Sequence, residues 1–295
     1  MLRSDGTIIP SIQHGVRKAW RPIEDGTTEW WRSFRRFIKE PHVPGEAWIE
    51  PHRVRAGRRE YLTLTLRVGE GGISAYGHIA IECPIGGLEV WSPMVTLKGR
   101  TAYINAVCSN PKPLLDITYS AGIIDILIKG YPLNEGDEVK VLIGDPRGNP
   151  PQMPLQAQKY PFYIALDRDN TGVYRAIREF PVLEVIGDYA VSFDVVARAI
   201  QKPGEKFDLA VVAVDRHNRN PDLNYTGTVK VIPSDPRINE VTCRFTRENA
   251  GIRLIQMSLP SNGVYYFTVF DAYRGISGVS NPVTVSYTHL TLPTN

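Results

Sequence analysis

Alternating oxygen-bearing side chains in the stretch VDRHNRNPDLNYTG (214–227) are the first candidates for chemistry in this 295-residue chain. Calcium loops use carboxylate and amide oxygens at alternate positions, with a glycine at the sharp turn and a bidentate glutamate at the end. This stretch lacks a glycine at the turn and a glutamate at the far end. It is therefore predicted to be an inter-strand loop built from Asx turns and a proline. The alternating residues are Asn218, Asn220, Asp222 and Asn224.

A second calcium-like spacing occurs in LDRDNTGVY (166–174), where Asp167, Asp169 and Gly172 occupy the first, third and sixth positions of such a loop. The twelfth position holds Arg178 instead of a ligand, and its positive charge would repel a cation. This stretch is therefore predicted to be a turn between strands.

Asp215 and His217 form a D-x-H pair of the kind that opens some metallohydrolase sites, which need several carboxylate and imidazole ligands converging on a metal. The histidines are scattered and never take H-x-H spacing, so further ligands for such a site are missing. Serine nucleophile elbows, phosphate-binding loops and dinucleotide fingerprints are also absent from the sequence. The sequence thus predicts no catalytic, cofactor-binding or metal-binding residue in this chain. The histidines are His14, His42, His52, His78, His217 and His289.

Aromatic residues offer a different kind of site, since carbohydrate-binding sandwiches expose several of them on one sheet face. Trp91, Tyr265 and Tyr266 are the candidates for such a face. Aromatic residues in strands also serve as core residues, and the sequence leaves both interpretations open.

The elements around these residues are predicted to be strands. In REYLTLTLRVG, Leu62, Leu64 and Leu66 alternate with polar residues, as in a half-buried strand. The pattern recurs along the chain between clusters of Gly, Pro, Asn and Asp, which favours an all-β protein of two tandem Ig-like β-sandwich domains. The predicted domains are 46–180 and 181–284, meeting near Phe180-Pro181. The predicted core residues are Leu62, Leu64, Leu66, Ile126 and Ile128 in the first domain and Leu209, Val211, Val229, Val231 and Phe267 in the second.

The N-terminal segment 1–45 differs from the rest of the chain. Trp30, Phe34, Phe37 and Ile38 fall at helical spacing among arginines, which predicts a short basic amphipathic helix at 28–40. Docking of Trp30 and Phe34 on the first sandwich is the preferred interpretation. Binding to a membrane surface or to nucleic acid is the alternative.

Charge and cysteine content narrow the functional classes. The net charge of +3 is the sum of +4 from residues 1–60, with 12 basic and 8 acidic residues, and −1 from the rest of the chain, so bulk charge gives no argument for a nucleic-acid surface on the main body. Cys83, Cys108 and Cys243 lie far apart, and they are expected to be buried thiols in strands. No signal peptide or membrane span is visible in the sequence, so a cytoplasmic location is the default expectation.

The strand and turn motifs of residues 50–284 are distinctive as a set. They comprise AGRREYLTLTLRVGEGGISAYGHIAI, VKVLIGDPRGNPPQMPLQAQKYPFYIALDRDNTGVY, FDLAVVAVDRHNRNPDLNYTGTVKV and GISGVSNPVTV. This set resembles the N-terminal β region of an uncharacterised bacterial family whose later portion is similar to metal-dependent hydrolases of the polymerase-and-histidinol-phosphatase (PHP) type. The resemblance implies sandwich domains that position or gate a catalytic domain in cis, and a divalent metal in that missing domain.

The family's metal motif, near Gly-Asp-x-His, would begin beyond these motifs, so the resemblance assigns no functional residue to this chain. The family typically has a Trp-Gly pair where this chain has His217-Asn218, which separates Asp215-x-His217 from the family's metal motif.

The last residues, VSYTHLTLPT (285–294) and Asn295, resemble a translated sequencing adapter. Residues 285–295 are therefore expected to be non-native, and a genuine terminal strand is the alternative. Two functions stay open: a truncated, non-catalytic module of a PHP-like hydrolase, or a stand-alone binding, adhesion or carbohydrate-binding module. The oligomeric state is left open.

Overall fold

The computed structural model describes residues 42–82, 103–120, 123–144 and 150–286. The predicted helix at 28–40, Cys83, Trp91 and the tail from Tyr287 lie outside these residues. Within the described part, the chain forms β-strands and a single 3-10 turn at Arg247–Asn249. No helix in that part is long and apolar enough to cross a membrane.

The chain divides into two compact units, Met1–Val185 and Ile186–Asn295. The division lies one short strand further along than the expected boundary at 180/181. The reason is that residues 182–185 pair with residues 158–161 of the first unit.

The strands of the first unit are short and follow the predicted alternation. They are Gly45–Glu50 (β1), Arg53–Arg55 (β2), Leu62–Val68 (β3), His78–Glu82 (β4), Ile104–Cys108 (β5), Leu114–Ser120 (β6), Ile123–Lys129 (β7), Glu138–Ile143 (β8), Gln158–Pro161 (β9), Tyr163–Asp167 (β10), Arg175–Ala176 (β11) and Val182–Ile186 (β12).

Two sheets of the first unit bury their apolar faces in one core. One has the strand order β1-β3-β8-β5, and the other has the order β11-β10-β4-β7-β6. Leu62, Leu64 and Leu66 from the first sheet share a single apolar cluster with Ile126 and Ile128 from the second, and all five are at most 1% exposed. These predicted core residues are confirmed. A shorter sheet, β2-β12-β9, adds Leu183 and Val185 to the same core.

The second unit repeats this architecture with its own strands. They are Ser192–Val196 (β13), Ile200–Gln201 (β14), Lys206–Val214 (β15), Gly227–Pro233 (β16), Val241–Phe245 (β17), Ile252–Ser258 (β18), Gly263–Tyr265 (β19), Phe267–Asp271 (β20), Ile276–Val279 (β21) and Val283–Val285 (β22).

The core of the second unit lies between the sheets β13-β15-β18 and β17-β16-β20-β21, with β14-β22-β19 contributing to it. The five predicted core residues Leu209, Val211, Val229, Val231 and Phe267 all have 0% exposure and are confirmed. Packing between the strands is close: a Cβ added to Gly278 of β21 would lie 2.1 Å from the carbonyl oxygen of Phe193 on β13. The described chain is thus an all-β protein of Ig-like β-sandwiches, as predicted.

Two of the three cysteines lie among the described residues, Cys108 in β5 and Cys243 in β17. Both are free thiols of intermediate burial, and burial raises the pKa of each. They are thiols in strands, as expected, but they are less buried than predicted.

The last described strand extends past residue 284. Val285 pairs with Gly263 on β19 and with Gln201 on β14, and its side chain is 1% exposed in the second core. Ser286 donates its backbone N–H to the carbonyl of Gln201 at 3.2 Å. The first residue of the adapter-like tail is therefore part of the core. The origin of the tail stays a prediction, because residues 287–295 lie outside the described residues.

The burial of Val285 predicts that two neighbouring residues of β22 contribute very differently to the free energy of unfolding. Val285→Ala removes two buried methyl groups and should lower the free energy of unfolding by about 2 kcal/mol. Thr284→Ala, at an exposed position of the same strand, should change it by less than about 0.5 kcal/mol. Urea denaturation of the two variants measures both values, and equal effects would contradict the burial of Val285.

Candidate functional site

Asp215 organises the loop that contains the D-x-H pair. Its Oδ1 accepts the backbone N–H groups of His217 (3.1 Å) and Asn220 (3.0 Å). Its Oδ2 accepts the backbone N–H of Asp188 (3.0 Å) and the side-chain amide of Asn220 (2.8 Å). Four hydrogen bonds occupy the acceptor capacity of one carboxylate, so Asp215 has no lone pair left to offer a metal.

Asp222 has the same role at the other end of the loop. It accepts the backbone N–H groups of Ala190 (3.1 Å) and Asn224 (3.2 Å). The backbone here is closely packed, since a Cβ added to Gly187 would lie 2.2 Å from the carbonyl oxygen of Pro221. The predicted loop of Asx turns and a proline is confirmed at these residues.

His217 and Asp215 do not combine into a ligand pair. Asp215 receives the backbone N–H of His217, while the imidazole Nε2 lies 3.8 Å from Oδ2 of Asp188. That separation exceeds hydrogen-bond distance, so the contact is electrostatic at most.

Asp167 occupies the corresponding place in the first unit. It is the last residue of β10 and 2% exposed, and it accepts the N–H groups of Thr171 (3.0 Å) and Gly172 (2.7 Å). Asp169 and Arg178 are exposed. The predicted turn is confirmed, and its first carboxylate stabilises the turn backbone.

Across the described ranges, no group of three or more His, Cys, Asp and Glu residues is arranged to hold a metal ion. The prediction that the whole chain lacks site residues stays a prediction, because His14 and His289 lie outside those ranges.

The two described aromatic candidates are consecutive in sequence but differ in burial. Tyr265 is 4% exposed in the second core, and its hydroxyl donates to the carbonyl of Ser261 at 3.0 Å. Tyr266, the next residue, is 43% exposed. Tyr265 is therefore a core residue, and Tyr266 is a surface residue.

Tyr266 belongs to an apolar surface on the outer face of the sheet β17-β16-β20-β21. Tyr266 directly precedes β20, and the alternation that continues along β20 places Phe270 on the same side, because Phe267 and Val269 between them point into the core. Neighbouring strands contribute Ile232 and Val279. We call these four exposed side chains, Ile232, Tyr266, Phe270 and Val279, the sheet-face patch.

The strand register makes the sheet-face patch continuous. Ile232 of β16 and Val279 of β21 both pair with Thr268 of β20, which lies between Tyr266 and Phe270 along its strand. The patch therefore surrounds a single threonine. Its members are between 36% and 60% exposed.

Polar and charged residues border the patch. Lys230 and Ser277 are the cross-strand partners of Phe270, and Thr242 is the next partner beyond Lys230. Lys230 lies 3.8 Å from Glu240, a contact between exposed groups that contributes little. Arg244, exposed on β17, adds a second positive charge to this border, against the single negative charge of Glu240.

Most of the sheet-face patch was not predicted from the sequence. The strands GTVKVIP and FTVFD carry apolar residues at both odd and even positions near one end. Such runs are also typical of strands buried on both faces, so alternation alone does not separate Ile232 or Phe270 from the core.

No family model matches the sequence, and no curated protein matches it. Solved structures do match. The InvD structure from Yersinia pseudotuberculosis is 10% identical with a TM-score of 0.36, over 85% of this chain and 60% of that one. The D00-D0 domains of intimin are 11% identical with a TM-score of 0.31, over 82% of this chain and all of that one.

A type I cohesin–dockerin complex from Clostridium thermocellum is 15% identical with a TM-score of 0.29, over 49% of this chain and all of the matched chain. Similarity at this level concerns the β-sandwich fold at most. It assigns no ligand or partner to this chain.

The Asp215 loop generates a stability prediction. Asp215→Ala leaves several buried N–H groups without an acceptor and should destabilise the second unit by about 3 kcal/mol. Asn218→Ala, at an exposed position of the same loop, is the matched control and should cost less than about 0.5 kcal/mol. Thermal or urea unfolding measures the difference, and a neutral Asp215→Ala would remove the role assigned to this carboxylate.

The same geometry predicts that the loop performs no metal-dependent hydrolysis. Purified protein with added Zn²⁺ or Mn²⁺ should not turn over a phosphoester, because Asp215 and Asp222 are committed to backbone N–H groups. Turnover that disappears in His217→Ala would overturn this interpretation of the loop.

Proposed function

We propose that this chain is a non-catalytic β-sandwich module that binds a partner protein through the sheet-face patch. The observation that carries the proposal is the continuity of the patch across three hydrogen-bonded strands. Apolar side chains scattered singly over a surface are ordinary, whereas a contiguous group on one sheet face is typical of an interaction site.

The composition of the patch favours a protein over a carbohydrate. Two β-branched aliphatic residues, Ile232 and Val279, lie on either side of Thr268, and they offer neither a ring for stacking nor a hydrogen bond for a sugar hydroxyl. The aromatic residues Tyr266 and Phe270 are about 13 Å apart along the strand, at about 3.3 Å per residue. Aromatic and aliphatic groups inside a polar border are the usual anatomy of a protein interface.

The border indicates the chemistry of the partner. Lys230 and Arg244 lie on the β17 side of the patch. A partner with an apolar centre and carboxylates facing that side would match it, and the charges would mainly affect the rate and specificity of association.

A second candidate function comes from the resemblance of residues 50–284 to the PHP-associated family. In this version the partner is a metallohydrolase domain in cis, with a divalent metal in that domain, and the sandwiches position or gate it. The support is the set of strand and turn motifs alone. Sequencing the gene past Thr284 tests it: a Gly-Asp-x-His motif within a few tens of residues is expected, and an extension made only of further sandwich repeats would exclude it.

Patch variants test the binding proposal directly. Ile232→Ser and Phe270→Ser should each weaken binding to a captured partner protein at least tenfold, because central apolar anchors dominate interface energies. Leu114→Ser is the matched control: Leu114 is 69% exposed but lies on β6 of the first unit, and its variant should bind like the parent protein.

Affinity of purified proteins, measured by titration calorimetry, distinguishes the outcomes. Equal loss in Leu114→Ser would show non-specific apolar adhesion and contradict the proposal. Binding of an oligosaccharide from a glycan array, abolished by Tyr266→Ala, would replace the protein partner with a carbohydrate.

A further inference from the structure

Glu82 is a buried carboxylic acid with an unsatisfied oxygen in the first unit. It is the last residue of β4, and its side chain lies on the outer face of the sheet β11-β10-β4-β7-β6, because Ile79 and Ile81 point into the core. The residue is only 5% exposed. Its Oε2 accepts no hydrogen bond from any described residue.

Apolar and aromatic residues surround Glu82 on this face. Its cross-strand partners are Tyr163 on β10 and Ile123 on β7. These two residues pack with Tyr174 around Ala80 and Ala165, which are 4% and 0% exposed. We call these five residues the outer-face cluster: Ala80, Ala165, Ile123, Tyr163 and Tyr174. The ring of Tyr163 also packs edge-on against Phe180, with 5.0 Å between centroids.

The charged groups described on the neighbouring strands are engaged elsewhere. His78 Nδ1 on β4 lies 2.9 Å from Asp125 Oδ2 on β7. Lys129 on β7 donates to Asp116 on β6 at 2.5 Å. On β10, Asp167 accepts the turn N–H groups described above.

The neighbouring acids oppose further negative charge on this face. Burial, followed by the negative charges of Asp125 and Asp167, raises the pKa of Tyr174 to about 12. Burial raises the pKa of Glu82 to about 7. Removal from water is therefore what disfavours the carboxylate form of Glu82.

We infer that Glu82 is a proton-controlled switch of the first unit: the outer-face cluster closes over the neutral carboxyl group and opens when that group ionises. A buried carboxylate with an oxygen that receives no hydrogen bond is costly, and hydration of the ionised group requires the cluster to part. The residues that would become hydrated are Tyr163, Ile123 and the adjoining ends of β4, β7 and β10.

The sign of the pH dependence follows from the direction of the shift. Below about pH 4.5 the carboxyl group is neutral in the folded and the unfolded chain, so burying it carries no ionisation penalty. As the pH rises towards about 7, the unfolded chain loses this proton and the folded chain keeps it, so the stability of the first unit decreases. Above about pH 7 the folded carboxyl group ionises as well, and the cluster opens.

Carboxyl-carbon NMR measures the protonation state of Glu82 in the unsubstituted protein. The Glu82 resonance, assigned by its absence from Glu82→Gln, should titrate with a midpoint near pH 7. A midpoint near the ordinary glutamate value of 4.5 would overturn the inference.

Matched substitutions test the consequence. Glu82→Gln keeps the shape and removes the charge, so between about pH 5 and 8 its urea midpoint should lose the decrease shown by the parent protein. Glu135→Gln, at an exposed turn position, should keep that decrease. Hydrogen exchange at about pH 8 should be faster at residues 79–82 and 123–126 of the parent protein than in Glu82→Gln. Identical exchange or identical pH profiles in the two proteins would contradict the switch.

Discussion

Buried aspartates that accept backbone N–H groups hold the loops of both sandwich units. Asp167 is the last residue of β10, Asp215 directly follows β15, and Asp271 is the last residue of β20; each is at most 2% exposed. Asp271 accepts the N–H groups of Tyr273 (2.9 Å) and Arg274 (3.2 Å) and the hydroxyl of Tyr225 (2.6 Å). N–H groups that turn away from a sheet ladder need another acceptor when they are buried, and these carboxylates supply it.

This need for buried hydrogen-bond acceptors explains why the loop sequences resemble those of metal-binding loops. An aspartate at a strand end, followed by Asn, Asp and Gly, is what a tight turn needs and also what a calcium loop needs. Two sequence features show that these loops are turns and not calcium loops. Residues 214–227 lack a glutamate at their end, and position 178 holds an arginine. The structure shows the physical reason, since the carboxylate oxygens of Asp215 already accept four hydrogen bonds.

The sandwich architecture was predictable because one face of each strand must be apolar. Alternation alone identifies that face in strands such as β3, with Leu62, Leu64 and Leu66, and β15, with Leu209 and Val211. The outer faces were not predictable in the same way, because Ile232 and Phe270 add apolar residues on the second face of strands that already have a buried one. The burial of Glu82 was not predictable for the opposite reason. A charged residue in a strand indicates a solvent-exposed position, and only the assembled sheet places Tyr163 and Ile123 beside it. The division between the units lies after β12 because this strand pairs with β9 and with the distant strand β2, and that pairing is not visible in the local sequence pattern.

The place of β22 has a consequence for biosynthesis. This strand lies between β14, to which it is parallel, and β19, to which it is antiparallel. The second unit therefore lacks an interior strand of one sheet until the residues up to Val285 have left the ribosome, whereas the strands of the first unit are complete by Ile186. Because domains generally fold as units during synthesis, the first unit can close while the second is still a nascent chain with an open core. A ribosome that pauses within the last few strands would therefore hold the first unit folded while the apolar core residues of the second unit are still exposed.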